Sequence, residues 1–342
     1  LGQPPMSFAE NYYLHYPKVA LGHYPPLLYV VEALWMIVFP ASRPSILALN
    51  ALLAAATGLM IYFTAKRLFG RFHALSAGLL WIFLYLVQMF YGMVMAEPLA
   101  VCLAFGAILC YARYLETERW QASAWFGLLA GLAILTKQVM LFLALLPPLA
   151  VIFSGKWRLF ARPGFWLAAG IALLVAGPWY YLVHFVLALV NFSSLAGLDL
   201  PRLSVRQELS QFVESLGYPL ILTAGLGLVA SVIIPLLRRK RVEGLWAVGL
   251  AGVLALLIFR RLAPAGFESR HLLAIFPAVL LFSYSGLNWL SSLIALVRPD
   301  GRVGKVIPLV LALAAFAAFS FRLPARRYLG LSVAAAGVAS LP

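Results

Sequence analysis

The sequence predicts an all-α protein, a polytopic transmembrane helix bundle of about 10–11 membrane helices, with one further helix lying along the membrane surface. Three observations predict it. Hydrophobic residues make up 64% of the 342 positions and charged residues only 11%, against about 45–50% and about 25% in a soluble domain. No single soluble core of this size can hide that much apolar side chain. The apolar residues run in segments of about 17–25, the length that crosses a hydrocarbon layer. Finally, the 26 Lys and Arg, against 11 Asp and Glu for a net +15, cluster between those segments. A soluble enzyme, a disordered chain and a disulfide scaffold are excluded. In a soluble chain such a charge would suggest nucleic acid; between membrane spans it marks cytoplasmic loops, and no nucleic-acid partner is expected.

Ten candidate spans follow in order: 45–66, 72–90, 93–112, 121–136, 138–154, 164–187, 217–237, 244–262, 271–297 and 306–323. Fifteen of the basic residues fall in five clusters between them: Lys66, Arg67 and Arg71; Arg113 and Arg119; Lys156, Arg158 and Arg162; Arg238, Arg239, Lys240 and Arg241; and Arg298, Arg302 and Lys305. Successive clusters are two spans apart, so all five can face the cytoplasm. Segments 121–136 and 138–154 are short for spans and must stand upright or thin the bilayer. Cys102 and Cys110 share one apolar segment and read as core filler.

Two segments do not span. In loop 188–216, Ser204 and Gln207 have capping-box spacing, and Val205, Leu209, Phe212, Val213 and Leu216 recur at helical intervals. This predicts an amphipathic juxtamembrane helix, on the membrane surface or against the bundle. Residues 25–39 form an apolar run of only 15 residues, expected to be re-entrant or interfacial if the charge parity holds. The chain divides into 1–24, the remainder of a first external loop; 25–323, the membrane bundle; and 324–342, the start of an external C-terminal segment.

Charge beside a membrane span is costly and marks candidate chemistry. Glu97 precedes Pro98 at a span start, where the helix dipole alone favours an acid and a site role is the second reading. Lys137 lies between two apolar segments, after Gly127, Gly131 and Ala133, small residues that let helices approach closely. Such a lysine either snorkels to the surface or aims its ammonium at a phosphate or carboxylate. Arg270 and His271, with Glu268, stand at the mouth of a long span, as interfacial anchors or as site residues. His15 and His23, with Glu10 nearby, match no zinc spacing. No metal ligand is assigned, and a divalent metal stays open. Eleven basic residues remain outside the five clusters: Lys18, Arg43, Lys137, Arg202, Arg206, Arg260, Arg261, Arg270, Arg322, Arg326 and Arg327. All fall on the external face in this topology, where a basic cavity suits an anionic lipid headgroup, above all a phosphate.

Five stretches then line up in order. His23-Tyr24-Pro25-Pro26-Leu27-Leu28-Tyr29 resembles the H-x-P-P-L-x-Y stretch of lipid-linked-sugar glycosyltransferases, and Ala65-Lys66-Arg67-Leu68-Phe69-Gly70 their A-R-x-L-F-G turn. Glu97-Pro98 resembles their D/E-P, Gly127 to Lys137 their G-L-x-x-G-L-A-x-L-T-K, and Arg270-His271-Leu272-Leu273 with Pro277 their R-Y-L-L-x-x-x-P. The chain thus resembles the glycosyltransferase-C superfamily, in particular protein O-mannosyltransferase-like and lipid A aminoarabinose-transferase-like enzymes.

The resemblance implies transfer of a sugar from a polyprenyl-phosphate donor to an acceptor (protein, lipid or glycan) at the external face, with inversion at the anomeric carbon. It implies a bacterial inner membrane, with the site facing the periplasm. An acidic residue of the first external loop would act as general base, and fixed positive charge would receive the departing phosphate. Lys137 and Arg270 match the phosphate-binding positions, His23 a basic position near them, with His271 adjacent, and Glu97 an acidic position of the site. One departure stands out. The family's Asp-Glu pair precedes the H-x-P-P stretch, whereas here no Asp occurs before Asp199 and only Glu10 precedes His23. The pair is therefore expected upstream of Leu1, and the chain as it stands is expected to be inactive. A transporter or flippase of lipid-linked sugars is the alternative, but no internal repeat of the kind common in transporters is visible.

Overall fold

The computed structural model describes residues 25–186, 205–262 and 269–297, together with single positions 7, 11, 15 and 310. Among these residues there is no strand. The expected segments 1–24, 306–323 and 324–342 lie outside them, apart from those single positions.

The first helix, α1 (Leu27–Val38), buries none of its side chains, and Leu34, Ile37 and Val38 are openly exposed. Trp35 Nε1 donates to Ser45 Oγ at 2.9 Å, tying α1 to the next helix. That helix, α2 (Arg43–Phe69), opens on Ser42, whose side chain accepts from the Ser45 N–H, with a proline in the first turn. Gly70, at φ 87, turns the chain into α3 (Arg71–Phe83). Between α3 and α4 (Tyr85–Tyr91) the axis bends by 53°. Neither proline nor glycine causes this break. Leu84 is extended at ψ 131, and the Gln88 side chain donates to the Ile82 carbonyl at 2.5 Å. Segment 72–90, expected as one span, is therefore bent, with the geometry of a broken span or a re-entrant loop.

Next come α5 (Glu97–Thr117) and α6 (Trp120–Thr136), then a 3-10 stretch at Gln138–Ala144 leading into α7 (Leu146–Ser154). Helix α8 (Pro163–Tyr181) follows a short 3-10 turn. After the undescribed loop, α9 (Val205–Leu216) and α10 (Tyr218–Leu228) continue through a π-helical turn into α11 (Ile234–Leu237). The bundle closes with α12 (Gly244–Leu262), a 3-10 segment at Ser269–Ile275, and α13 (Phe276–Val297).

Among the described residues, six helices are long and apolar enough to cross a membrane, or seven if α3 and α4 make one bent span. Expected segments 121–136 and 138–154 appear as the shorter apolar helices Trp120–Thr136 and Gln138–Ser154. Nine of the ten expected apolar segments thus coincide with described helices.

Four of the five basic clusters gather at one end of the bundle. Arg67 Nη2 lies 3.4 Å from Glu116 Oε2. Lys156 Nζ donates to the Leu115 carbonyl and sits 3.9 Å from Glu118. A Cβ placed on Gly244, just past the Arg238–Arg241 run, would meet the Ala112 carbonyl at 2.9 Å. This is the alternation that the positive-inside reading requires. The fifth cluster, Arg298 to Lys305, lies outside the described residues.

Close backbone contact holds the bundle together, as membrane helices need when lipid offers no hydrophobic contrast. A Cβ on Gly127 would fall 2.5 Å from the Ala168 carbonyl oxygen, and one on Gly131 2.8 Å from Val175 Cβ, so α6 and α8 touch through these glycines. Helices α10 and α13 cross even more tightly at Gly227 and Gly286. Hydroxyl pairs Thr223–Ser283 and Ser231–Ser285, each at 2.5 Å, flank that crossing.

Candidate active site

The end opposite the basic clusters carries a different arrangement. Glu97 occupies the first turn of α5, preceded by Ala96, whose side chain offers no cap. A carboxylate there complements the partial positive charge of the helix start, and Pro98 lacks the N–H that would go unpaired. Helix α6 runs back to the same end and stops at Lys137, which is extended at φ −155 and ψ 131. The Lys137 carbonyl accepts from the Met140 N–H at 3.0 Å, turning the chain into the 3-10 stretch. The third contributor, Arg270, sits in the 3-10 segment that precedes α13.

These three residues converge. Lys137 Nζ donates to Glu97 Oε1, and Arg270 Nε lies 3.4 Å from the same oxygen. The Glu97 side chain is only 3% exposed, Lys137 12% and Arg270 22%. One buried carboxylate therefore faces two cations. An ammonium and a guanidinium fixed side by side at a poorly hydrated wall are suited to hydrogen-bonding an anion that arrives from the open side.

That open side is a cavity of about 220 Å³ lined by Pro25, Leu28, Tyr29, Glu32, Val94, Met95, Ala96, Glu97, Thr136, Lys137 and Arg270. Helix α1 forms one wall. The start of α1 and the start of α2 both lie towards this end, where Asn50 Nδ2 also donates to the Met93 carbonyl at 2.7 Å.

Glu32 is the site residue that sequence reading passed over. It sits on α1, outside the spans, and partial burial pushes its carboxyl above the ordinary 4.5. It has no ion-pair partner among the described residues. A carboxylate inside the apolar run 25–39 was the available signal.

Of the other expected residues, His271 is buried beside Arg270 and is not among the cavity's lining residues. His23 lies outside the described residues. Arg260 is 3% exposed and donates from Nη2 to Gln211 Oε1 at 2.8 Å, so it fastens α9. Helix α9 confirms the expected amphipathic segment: Leu216 is buried, while Arg206, Gln207 and Glu214 face out. Its contacts are with α10, α4 and the 3-10 segment carrying Arg270. Among the described residues no group of three His, Cys, Asp or Glu side chains could hold a metal ion.

A second cavity, about 640 Å³ and apolar, lies along α6 and α8 and the stretch between them, with Phe126, Ile134, Leu141, Pro147, Leu173 and Tyr180 among its walls. Ile134 and Leu141 place its nearer end about one helical turn on either side of Lys137.

The helix bundle as a whole has counterparts among known proteins. Residues 23–182 match the family described as dolichyl-phosphate-mannose-protein mannosyltransferase. The fold is that of ArnT from Cupriavidus metallidurans bound to undecaprenyl phosphate: TM-score 0.61 and 17% identity, covering 88% of this chain and 60% of that one. Apo ArnT gives TM-score 0.58 at 16% identity, covering 86% and 60%. The archaeal oligosaccharyltransferase AglB from Archaeoglobus fulgidus, in complex with an inhibitory peptide and a dolichol-phosphate, gives 0.56 at 14% identity, covering 87% and 48%. No curated protein matches the sequence.

The family match takes in just under half of the chain, and the likeness to the solved structures is one of fold. The chain spans about three fifths of the length of the ArnT chains.

Proposed function

We propose that the protein transfers a sugar from a polyprenyl-phosphate donor to an acceptor at the face that holds Glu97. The observation that carries this reading is the Lys137–Glu97–Arg270 cluster at the wall of the 220 Å³ cavity. A phosphate entering there would meet the Lys137 ammonium and the Arg270 guanidinium, both strong donors to an anionic oxygen. As the bond from the anomeric carbon to phosphate oxygen breaks, negative charge grows on that oxygen. A lysine and an arginine already fixed in place stabilise it without reorganisation.

Glu97 then serves as the positioning residue. Its Oε1 is already engaged by Lys137 and faced by Arg270, so it orients both cations rather than taking the acceptor's proton. The general base is assigned, by resemblance to the family, to the Asp-Glu pair that precedes the H-x-P-P stretch. Attack by the acceptor oxygen from the side opposite the phosphate gives inversion. The apolar cavity along α6 and α8 suits a prenyl chain, because it begins within a turn of Lys137 and offers aliphatic and aromatic walls. In keeping with the basic clusters at the other end, the site faces the exterior of a bacterial inner membrane. The acceptor, whether protein, lipid or glycan, would approach past Tyr29 and Glu32. Any divalent metal would need ligands beyond the described residues.

The test separates binding from transfer. Chain reconstituted in vesicles is titrated with a polyprenyl-phosphate sugar, and Lys137→Ala is compared with wild type. Loss of binding in the variant supports the reading; equal binding removes Lys137 from the site. In a chain that also carries the family's Asp-Glu pair, a flippase would carry the donor across intact, whereas a transferase releases polyprenyl phosphate when acceptor is added.

A further inference from the structure

The end of the bundle away from Glu97 holds another polar cavity, which sugar transfer does not use. It measures about 510 Å³ and forms where the turn between α5 and α6 meets the start of α8, with Tyr114, Arg119, Trp120, Arg162 and Gly164 in its walls. Helix α5 has 21 residues, so it separates this cavity from the Glu97 site by about 30 Å, the thickness of a hydrocarbon layer.

Helices α6 and α8 both begin here, and both begin in the electrostatically unfavourable way. Arg119 is the N-cap of α6 and Arg162 the N-cap of α8; neither side chain bonds a first-turn N–H, and neither first turn holds an acid. Helix starts carry partial positive charge and favour Ser, Thr, Asp or Asn caps and nearby anions. Two guanidiniums at two helix starts put like charge against like charge. Neither guanidinium has an ion-pair or hydrogen-bond partner among the described residues. The one acid in the cavity wall, Glu118, already lies 3.9 Å from Lys156.

A second observation concerns the wall itself. Tyr114 is only 1% exposed, yet it lines the cavity and its hydroxyl has no hydrogen-bond partner among the described residues. A Cβ on Gly164 would come within 3.0 Å of that hydroxyl, so the missing side chain keeps it accessible. Trp120 is 60% exposed, and Trp157 and Trp166 on the neighbouring turn and helix are similarly open. Such indoles sit at the headgroup level of a bilayer.

We propose that this cavity binds the phosphodiester headgroup of an anionic phospholipid from the leaflet on this side. The phosphate would lie between Arg119 and Arg162, accept from the Tyr114 hydroxyl, and complete the two uncapped helix starts. A free phosphate offers the same chemistry. The exposed tryptophans and the exposed Leu173 and Leu174 further along α8 favour a ligand that continues into the hydrocarbon.

The test uses the full chain in detergent micelles doped with phosphatidylglycerol or phosphatidylcholine, with bound lipid counted by native mass spectrometry. Wild type is expected to retain phosphatidylglycerol in preference to phosphatidylcholine. The double variant Arg119→Gln, Arg162→Gln is expected to lower phosphatidylglycerol affinity about thirtyfold, from about fivefold per surface cation. Arg238→Gln, a cation of the same face outside the cavity, is expected to leave it unchanged. Absence of lipid preference in wild type overturns the proposal without reference to any variant. Equal loss in Arg238→Gln overturns it in favour of diffuse attraction, and displacement of the lipid by millimolar inorganic phosphate overturns the choice of a lipid. Both arginines have exposed side chains, and size-exclusion profiles matching wild type verify that the variants are folded.

Discussion

Lys137 and Glu97, forty positions apart, form a buried ion pair because α5 and α6 are a hairpin whose free ends return to the same face of the bundle. The turn of that hairpin lies among the basic residues of the opposite face, so the pair and the positive-inside pattern are two ends of one structural unit. Arg270 joins from a distant part of the chain and sets a second cation against the same carboxylate oxygen.

Glu97→Gln removes the one negative charge between the two cations and leaves them facing each other. Unfolding stability is expected to fall by about 3 kcal/mol, as when one partner of a buried pair is lost. Adding polyprenyl phosphate should recover more stability in this variant than in wild type, which thermal melts with and without lipid would show. A variant as stable as wild type would mean that water already screens the cluster.

Arg270→Ala leaves Lys137 paired with Glu97 and so costs the fold little. Donor affinity is expected to drop about tenfold to a hundredfold, from loss of one charge-assisted contact of about 1.5–3 kcal/mol. Arg270→Lys should recover only part of it, since an ammonium lacks the planar fork of donors. Equilibrium binding of a polyprenyl-phosphate sugar to each variant measures this, and full recovery by lysine would argue for a point charge alone.

Donor binding should depend on pH through Glu32. Its carboxyl is held above the ordinary 4.5 by burial, so it stays neutral to a higher pH than a free one. Below that raised value Glu32 is neutral; above it, Glu32 adds a negative charge to the cavity wall that the phosphate would enter. Affinity for a phosphodiester donor should therefore fall as pH rises through the region just above 4.5, and Glu32→Gln should flatten that dependence. The same shift makes folding stability decline with rising pH across that interval, because the folded state there binds more protons than the unfolded one. A pH profile unchanged by Glu32→Gln would contradict this role.

Gly227→Ala and Gly286→Ala should each disrupt the α10–α13 crossing. The added Cβ would sit 1.8 Å from the Phe282 carbonyl oxygen in one case and 2.0 Å from that of Thr223 in the other, so the backbones must part. A loss of about 3 kcal/mol is expected, read as a lower melting temperature in detergent. Gly170→Ala, which meets nothing within 4 Å, is the matched control and should melt like wild type.

Much of the fold was legible because runs of hydropathy mark the membrane helices directly and the basic clusters mark the helix ends that share one face of the bundle. The small residues Gly127 and Gly131 announced close helix packing, and the structure puts α8 against them. The break at Leu84 gave no sign, since it uses neither proline nor glycine and depends on a side chain capping a carbonyl. In the site, Glu97, Lys137 and Arg270 each stood out as a charge at a span end, where burial is costly. Their meeting was not legible from composition or spacing, because it depends on which helix ends share a face. Glu32 was missed because the 25–39 run is too short to assign to a face by length alone. His271 shares the Arg270 motif, but its side chain lies outside the cavity wall.

The most direct measurement is a structure of the chain with a bound polyprenyl phosphate. The phosphate is expected within hydrogen-bond distance of Lys137 Nζ and the Arg270 guanidinium, with Glu97 still between the two cations. A phosphate seated elsewhere, with the Lys137–Glu97–Arg270 cluster undisturbed and unliganded, would contradict the assignment of this cluster as the donor site.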